Sequence, residues 1–175
     1  AGGDKILLKV GDQRIIDHIC ERLDPQVDEL ILNVNNPALR AETNLEILSD
    51  AVPMGKAIGP MGGVYSALNY AKKNGFRKIL TVAGDTPFIP NDFLMRLSEN
   101  GENPISIAQS GDQLHPVLGL WDVSVIEKLK GAITRNELRM MDWLASQSIG
   151  IVKWPDDPDP FFNINTPEDL EKAEM

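Results

Sequence analysis

The sequence predicts an α/β protein, a three-layer α/β/α sandwich built around a mostly parallel sheet. Two observations carry the prediction. Short apolar runs alternate along the chain with segments of helical periodicity, and several of those runs are nearly continuous, as strands buried on both faces require. Strands separated by helices of this length imply βαβ units, whose right-handed crossovers cover both faces of a parallel sheet. A length of 175 residues suits one domain with a core large enough to fold without crosslinks.

The elements follow in order. Asp12 to Leu23 places Ile15, Ile16, Ile19, Cys20 and Leu23 on one side of a helix. Glu29 to Val34 is a short apolar run that fits a strand buried on both faces, and Leu45 to Leu48 is a weaker run of the same kind. Val64 to Asn74 has helical spacing and stops at Gly75, where a C-capping glycine belongs. Lys78 to Ala83 (KILTVA) is the clearest strand. A helix near Asn91 to Ser98 comes next, then strands at Ile105 to Gln109 and Val117 to Trp121, helices at Val123 to Lys130 and Glu137 to Gln147, and a strand at Ile149 to Trp154. Pro155 to Pro160 reads as a surface loop, too short for a linker between domains.

Composition narrows the function. With 42% hydrophobic and 25% charged residues the chain has the make-up of a soluble globular protein. Lys and Arg number 17 against 26 Asp and Glu, a net charge of −9, which argues against a general affinity for nucleic acid phosphates. An anionic ligand must then be held by local devices such as backbone N–H groups, a few chosen cations or a metal ion. The single cysteine, Cys20, points to a reducing compartment, and no apolar run approaches a membrane span or a signal segment. The expected location is the cytoplasm, with neither nucleic acid nor membrane as a partner.

In open α/β sheets ligands bind at the carboxyl ends of strands, so the residues that follow the apolar runs are the candidates for chemistry. Asp85, in Ala83-Gly84-Asp85-Thr86-Pro87-Phe88, sits where a carboxylate suits a hard cation such as Mg²⁺, or where it makes a turn and caps the next helix. Ile58-Gly59-Pro60-Met61-Gly62-Gly63 offers backbone N–H groups beside the positive end of a helix, or is an ordinary Gly/Pro turn. Ala1-Gly2-Gly3, with Lys5 close behind, is a glycine turn able to cradle phosphate beside a point charge. Thr166-Pro167-Glu168-Asp169 is explained by helix capping, which leaves Asn163 and Asn165 ahead of it with amides to satisfy. His115 either contacts a ligand phosphate or lies on the surface. Two histidines and one cysteine, far apart, make a zinc site improbable, and no GxxxxGK[ST], GxGxxG or G-x-S-x-G string is present.

Taken in order, AGG with DK, then NVN, SD, GPMGG, AGDTPF, HPV and FNINTPEDL resemble, across nearly the whole chain, the molybdenum cofactor guanylyltransferase (MobA) family of nucleotidyltransferases. The AGG start and the aspartate after a strand are shared with many nucleotidyltransferases, while GPMGG and NINTPEDL pull toward the guanylyl branch. The resemblance implies a single Rossmann-like nucleotidyltransferase domain that moves GMP from GTP to the phosphate of molybdopterin and releases pyrophosphate. It implies that Ala1, Gly2, Gly3 and Lys5 line the nucleotide, that Asn33 and Asp50 contact guanosine, and that Gly59, Pro60, Gly62 and Gly63 shape the base pocket. Asp85 would hold Mg²⁺, with Mn²⁺ as a substitute, and Asn163 and Asn165, with His115, would lie on the pterin and phosphate side. Transient contacts with other molybdenum-cofactor proteins are expected.

The pattern departs from the family at one place. Gly3 runs directly into Asp4-Lys5, where the family has a longer loop bearing an Arg and a Met-Gly, and no strand precedes Ala1; the expectation is that these residues are omitted from the sequence. The alternative functions are a cytidylyl or sugar-phosphate nucleotidyltransferase and a non-catalytic carrier of nucleotide or pterin.

Overall fold

The computed structural model describes residues 4–36, 38–39, 42–49, 58–166, 168–169 and 171. A 3-10 turn, Asp4–Leu7, leads into a small antiparallel hairpin of β1 (Lys9–Val10) and β2 (Gln13–Arg14), reversed at Gly11 with φ of 60°. Helix α1, Ile15–Leu23, begins where β2 ends, later than the Asp12 start read from the periodicity, because Asp12 is used in the hairpin turn. It buries Ile15, Ile16, Ile19 and Leu23 as the spacing required, with Cys20 half-buried at its margin.

Strands β3 (Ile31–Asn33) and β4 (Glu46–Leu48) pair in parallel. Helix α2, Pro60–Asn74, starts four residues earlier than its expected beginning at Val64, because Pro60 fits the first helical position. It ends at Gly75 in the left-handed conformation, φ 82°, with Phe76 N–H closing on the Ala71 carbonyl at 2.9 Å. Then come β5 (Lys78–Thr81), α3 (Phe93–Ser98), β6 (Ile105–Ser110), β7 (Gln113–Asp122), α4 (Ile126–Thr134), α5 (Met140–Ala145) and β8 (Ile149–Trp154).

Four strands form one sheet in the order β5-β7-β6-β8, with β7 antiparallel to both neighbours and β8 parallel to β6. The sheet is mixed and keeps the expected mostly parallel character: β5, β6 and β8 share a direction, and β7 alone is reversed. The cause is the connection. Gly111-Asp112 joins Ser110 to its partner Gln113, and a link that short makes only an antiparallel hairpin. The register also shifts, from Ile107 opposite Gly119 to Ala108 opposite His115, so Pro116 lies in a bulge within β7 rather than at a strand start.

Alternation along the strands builds two cores on opposite faces of this sheet. Ile79, Ile105, Ile107 and Trp121 pack with α2, α4 and α5, whereas Leu80, Ala108, Leu118 and Leu120 pack with α1, α3 and the aromatic residues Trp154 and Phe161. The three expected layers are thereby formed. A third cluster, Ile6, Ile16, Leu32 and Leu39, gathers around β3. Between β3 and β5 lies a cleft of about 1530 Å³. Among the described residues no helix is long and apolar enough to cross a membrane.

Candidate functional site

The best-defined polar constellation forms at the carboxyl end of β5. There the chain turns sharply: Thr86 donates from both its N–H (3.3 Å) and its Oγ1 (2.7 Å) to the Ala83 carbonyl, and Thr86 and Pro87 are buried. This fixes Asp85 at the crest of the turn. The Asp85 carbonyl accepts the Ile164 N–H at 2.9 Å, and because Ile164 is fully buried the flanking Asn163 and Asn165 are exposed on either side of it.

Lys5 arrives from the other end of the chain. A Cβ on Gly84 would stand 3.0 Å from Ile6 Cγ2, so the Asp4–Leu7 turn packs directly on the strand end beside Asp85. From there Lys5 Nζ donates to Asn165 Oδ1 at 3.0 Å. Burial pushes the Asp85 carboxyl above the usual carboxylate range, while its own backbone N–H and the Lys5 charge pull the other way. A half-buried carboxylate under the charge of a lysine, on a turn bonded to the segment that carries Asn163 and Asn165, is an arrangement for charged oxygens, not for thiolates or imidazoles. Among the described residues no group of three His, Cys, Asp or Glu side chains could hold a metal by itself. A cation there would complete its shell with water and ligand oxygens, as Mg²⁺ does.

The segment bearing Asn165 is itself clamped. Asp169 Oδ2 accepts the Asn165 and Thr166 N–H groups at 3.0 and 2.9 Å, and the Asp169 N–H donates to Thr166 Oγ1 at 3.2 Å. This capping box was readable from the T-x-x-D spacing, although Asp169 was not singled out as a support for the site.

Asn33 closes β3, and its Oδ1 is buried without a hydrogen-bond partner among the described residues. It lines the cleft, as do Pro60 and Gly63. Gly59 has φ of 62° and ψ of −150°, a conformation that only glycine adopts readily, and its carbonyl accepts the Gly62 N–H at 3.0 Å. Gly62 and Gly63 are thus the first turn of α2 rather than a free loop, with Gly62 buried. His115 does not join Lys5 and Asp85: its ring is buried, bonds to Ser110 Oγ at 2.7 Å, and lies edge-on to Phe161 at 5.0 Å. Burial lowers its pKa, with Asp159 opposing. Ala1, Gly2, Gly3 and Asp50 fall outside the described residues.

Residues 1–149 match the family described as MobA-like NTP transferase domain. The chain is similar to the molybdenum cofactor guanylyltransferase of Nitrobacter hamburgensis, 39% identical over 181 residues that cover 99% of this chain and 86% of the relative. The one from Cereibacter sphaeroides is 37% identical over 174 residues, covering 99% and 88%. Among solved structures, molybdopterin-guanine dinucleotide biosynthesis protein A from Archaeoglobus fulgidus has a TM-score of 0.75 at 23% identity, covering 97% of this chain and 88% of that one. A Mycobacterium tuberculosis protein crystallised with manganese has a TM-score of 0.67 at 15% identity, covering 99% and 92%. These two structural likenesses are likenesses of fold.

Proposed function

The chain belongs to the MobA-like NTP transferase family, and from that membership we propose that it transfers GMP from GTP to the terminal phosphate of molybdopterin, giving molybdopterin guanine dinucleotide and pyrophosphate. The observation that carries the reading is the convergence of Lys5, Asp85 and Asn165 at the carboxyl end of β5. An oxygen of the acceptor phosphate attacks the α-phosphorus in line, and the bond from that phosphorus to the pyrophosphate oxygen breaks. The nucleophile is already an anion, so no protein base is needed, and the protein's part is positioning and charge stabilisation.

Lys5, held by Asn165, faces the phosphates as a fixed positive charge. Asp85, with Asn163 beside it, fits Mg²⁺ or Mn²⁺ as a set of hard oxygen donors, and such an ion would offset charge on the transferring phosphoryl group. Asn33 Oδ1, a buried acceptor lacking a partner among the described residues, suits a ring or amino N–H of guanine. Gly59, Pro60, Gly62 and Gly63 shape the base side of the site. Ala1, Gly2 and Gly3 are assigned to the nucleotide phosphates and Asp50 to guanosine on the family pattern alone. His115 acts on the pterin side through Phe161, two residues before Asn163, rather than by touching ligand.

On this reading the chain is a single nucleotidyltransferase domain working in the cytoplasm, with GTP and molybdopterin as substrates and transient contacts with other molybdenum-cofactor proteins. Calorimetric titration with GTP, CTP and UTP in the presence of Mg²⁺ tests the nucleotide choice. GTP is expected to bind tightest; a preference for CTP or UTP would move the protein to the cytidylyl or sugar-phosphate branch.

A further inference from the structure

Strand β8 closes one side of the four-stranded sheet, pairing in parallel with β6 and, among the described strands, with no other. Its free edge can be assigned residue by residue. The Lys153 carbonyl accepts from Arg96 Nη2 and so points away from β6, whereas the Trp154 carbonyl accepts the Gly111 N–H, just past the end of β6, and points toward it. Peptide groups alternate in direction along a strand. The N–H and C=O groups of Ile149, Ile151 and Lys153 therefore form the outer row, and those of Gly150, Val152 and Trp154 serve the pairing with β6. At the centre of the row Ile151 is apolar and 45% exposed, and an edge of six residues with such a centre is a template for another strand.

The two ends of this edge carry opposite charges. The segment from Arg96 to Asn100 runs antiparallel to β8 along its flank: the Arg96 guanidinium lies 4.2 Å from the centre of the Trp154 ring, at the carboxyl end, while a Cβ on Gly150, near the amino end, would collide with the Asn100 amide. Arg96 and the exposed Lys153 make the carboxyl end positive. Glu99, one turn beyond Arg96, and Glu102, beside the Asn103 that accepts the Ser148 hydroxyl, are exposed and make the amino end negative. Arg96 and Glu99 border a groove of about 280 Å³ against Ile151, Val152 and Lys153. Among the described residues none of these four charges has an ion-pair partner.

We propose that β8 pairs with β8 of a second copy of this chain, antiparallel about a two-fold axis at Ile151, so that the four-stranded sheets of the two copies become one continuous sheet. The two-fold operation sets Ile151 opposite the same residue of the other copy and Lys153 opposite Ile149. The outer peptide groups of each edge then meet as hydrogen-bonded pairs, and the lysine stems cover the flanking isoleucines. The operation also brings the positive end of each edge to the negative end of the other, with Arg96 facing Glu99 across the axis. A parallel alignment of the two edges would set like charges together, so the charge pattern selects this antiparallel self-pairing. Arg96 has donors left for it, since Nη2 alone is bonded to the Lys153 carbonyl. The proposal rests on the sheet edge and does not depend on the nucleotide chemistry.

Sedimentation velocity of the 175-residue chain from micromolar to millimolar concentration is expected to show a monomer–dimer equilibrium. Hydrogen exchange over the same range locates the contact without any substitution. The Ile149, Ile151 and Lys153 amides are expected to slow by about tenfold or more as the dimer fills, while the Gly150 and Val152 amides, already bonded to β6, stay constant as the internal reference. Ile151→Lys places like charges on the axis at an exposed position and is expected to hold the chain monomeric with Tm unchanged at low concentration. Glu99→Arg sets like charges across the axis and is expected to weaken the dimer by about tenfold or more. The proposal is overturned if the chain stays monomeric at millimolar concentration, or if a dimer forms without concentration-dependent slowing at the three outer amides. It is equally overturned if either variant dimerises as the parent does.

Discussion

Lys5 and Asn165 are 160 residues apart in sequence and joined by a 3.0 Å hydrogen bond from Nζ to Oδ1. Both ends of that bond are positioned by something else: Ile6 seats the lysine turn on Gly84, and Asp169 clamps the backbone of Asn165. The bond sets the direction of Lys5, whose charge opposes the burial that raises the Asp85 pKa.

Asn165→Ala is expected to release Lys5 without loosening the fold, because the pair is exposed. The cost falls on transition-state stabilisation, with kcat/KM for GMP transfer dropping by about tenfold, or roughly 1.4 kcal/mol, while Tm changes little. Steady-state kinetics beside thermal melts checks it; an equal loss in a Lys5→Ala background would show that the two act independently.

Asp85 predicts a pH dependence of stability. Burial raises its folded pKa above the unfolded value, so the folded state binds the proton more tightly and stability declines as pH rises from the ordinary carboxylate range through the raised value. Asp85→Asn removes that decline. Thermal melts across acid to neutral pH are expected to show the variant gaining on the parent as pH rises, and parallel profiles would contradict the assignment. GTP with Mg²⁺ should raise Tm of the parent and not of this variant.

Thr81 holds a part-buried chain of hydrogen bonds at the end of β5: Trp121 Nε1 donates to Thr81 Oγ1 at 2.7 Å, and Thr81 Oγ1 donates to the Val117 carbonyl at 2.7 Å. Thr81→Val leaves the indole N–H and the carbonyl unpaired and is expected to cost about 1–3 kcal/mol. Thr81→Ser should recover most of that loss. Chemical denaturation of the two variants measures the difference.

Gly119 lies where β7 crosses β6, and a Cβ there would meet the Ser106 carbonyl oxygen at 2.7 Å and Ile107 Cδ1 at 2.6 Å. Because one obstacle is backbone, Gly119→Ala is expected to destabilise by about 1–3 kcal/mol or more. Denaturant midpoints report it directly.

Much of this was legible in the sequence because the signals were local. The spacing of Ile15, Ile16, Ile19 and Leu23, the Gly75 cap and the Lys78 run each named their element, and the rule that ligands gather at strand ends singled out Asp85, Asn33 and Asn165. What was missed depended on connections. Gly111-Asp112 is a hairpin turn that reverses β7, and apolar periodicity alone does not distinguish its two strands from separate members of a parallel sheet. The burial of His115 by Ser110 and Phe161 follows from a bulge that apolar periodicity does not encode. The Lys5–Asn165 bond joins the two ends of the chain, and no pattern within either segment announces it.

Guanylyl transfer at Asp85 and Lys5 is read most directly as pyrophosphate release from GTP in the presence of molybdopterin and Mg²⁺. Release is expected to be matched one for one by molybdopterin guanine dinucleotide and abolished in Asp85→Asn, with the variant still folded. Transfer retained in that variant, or pyrophosphate released from CTP in preference to GTP, would contradict it.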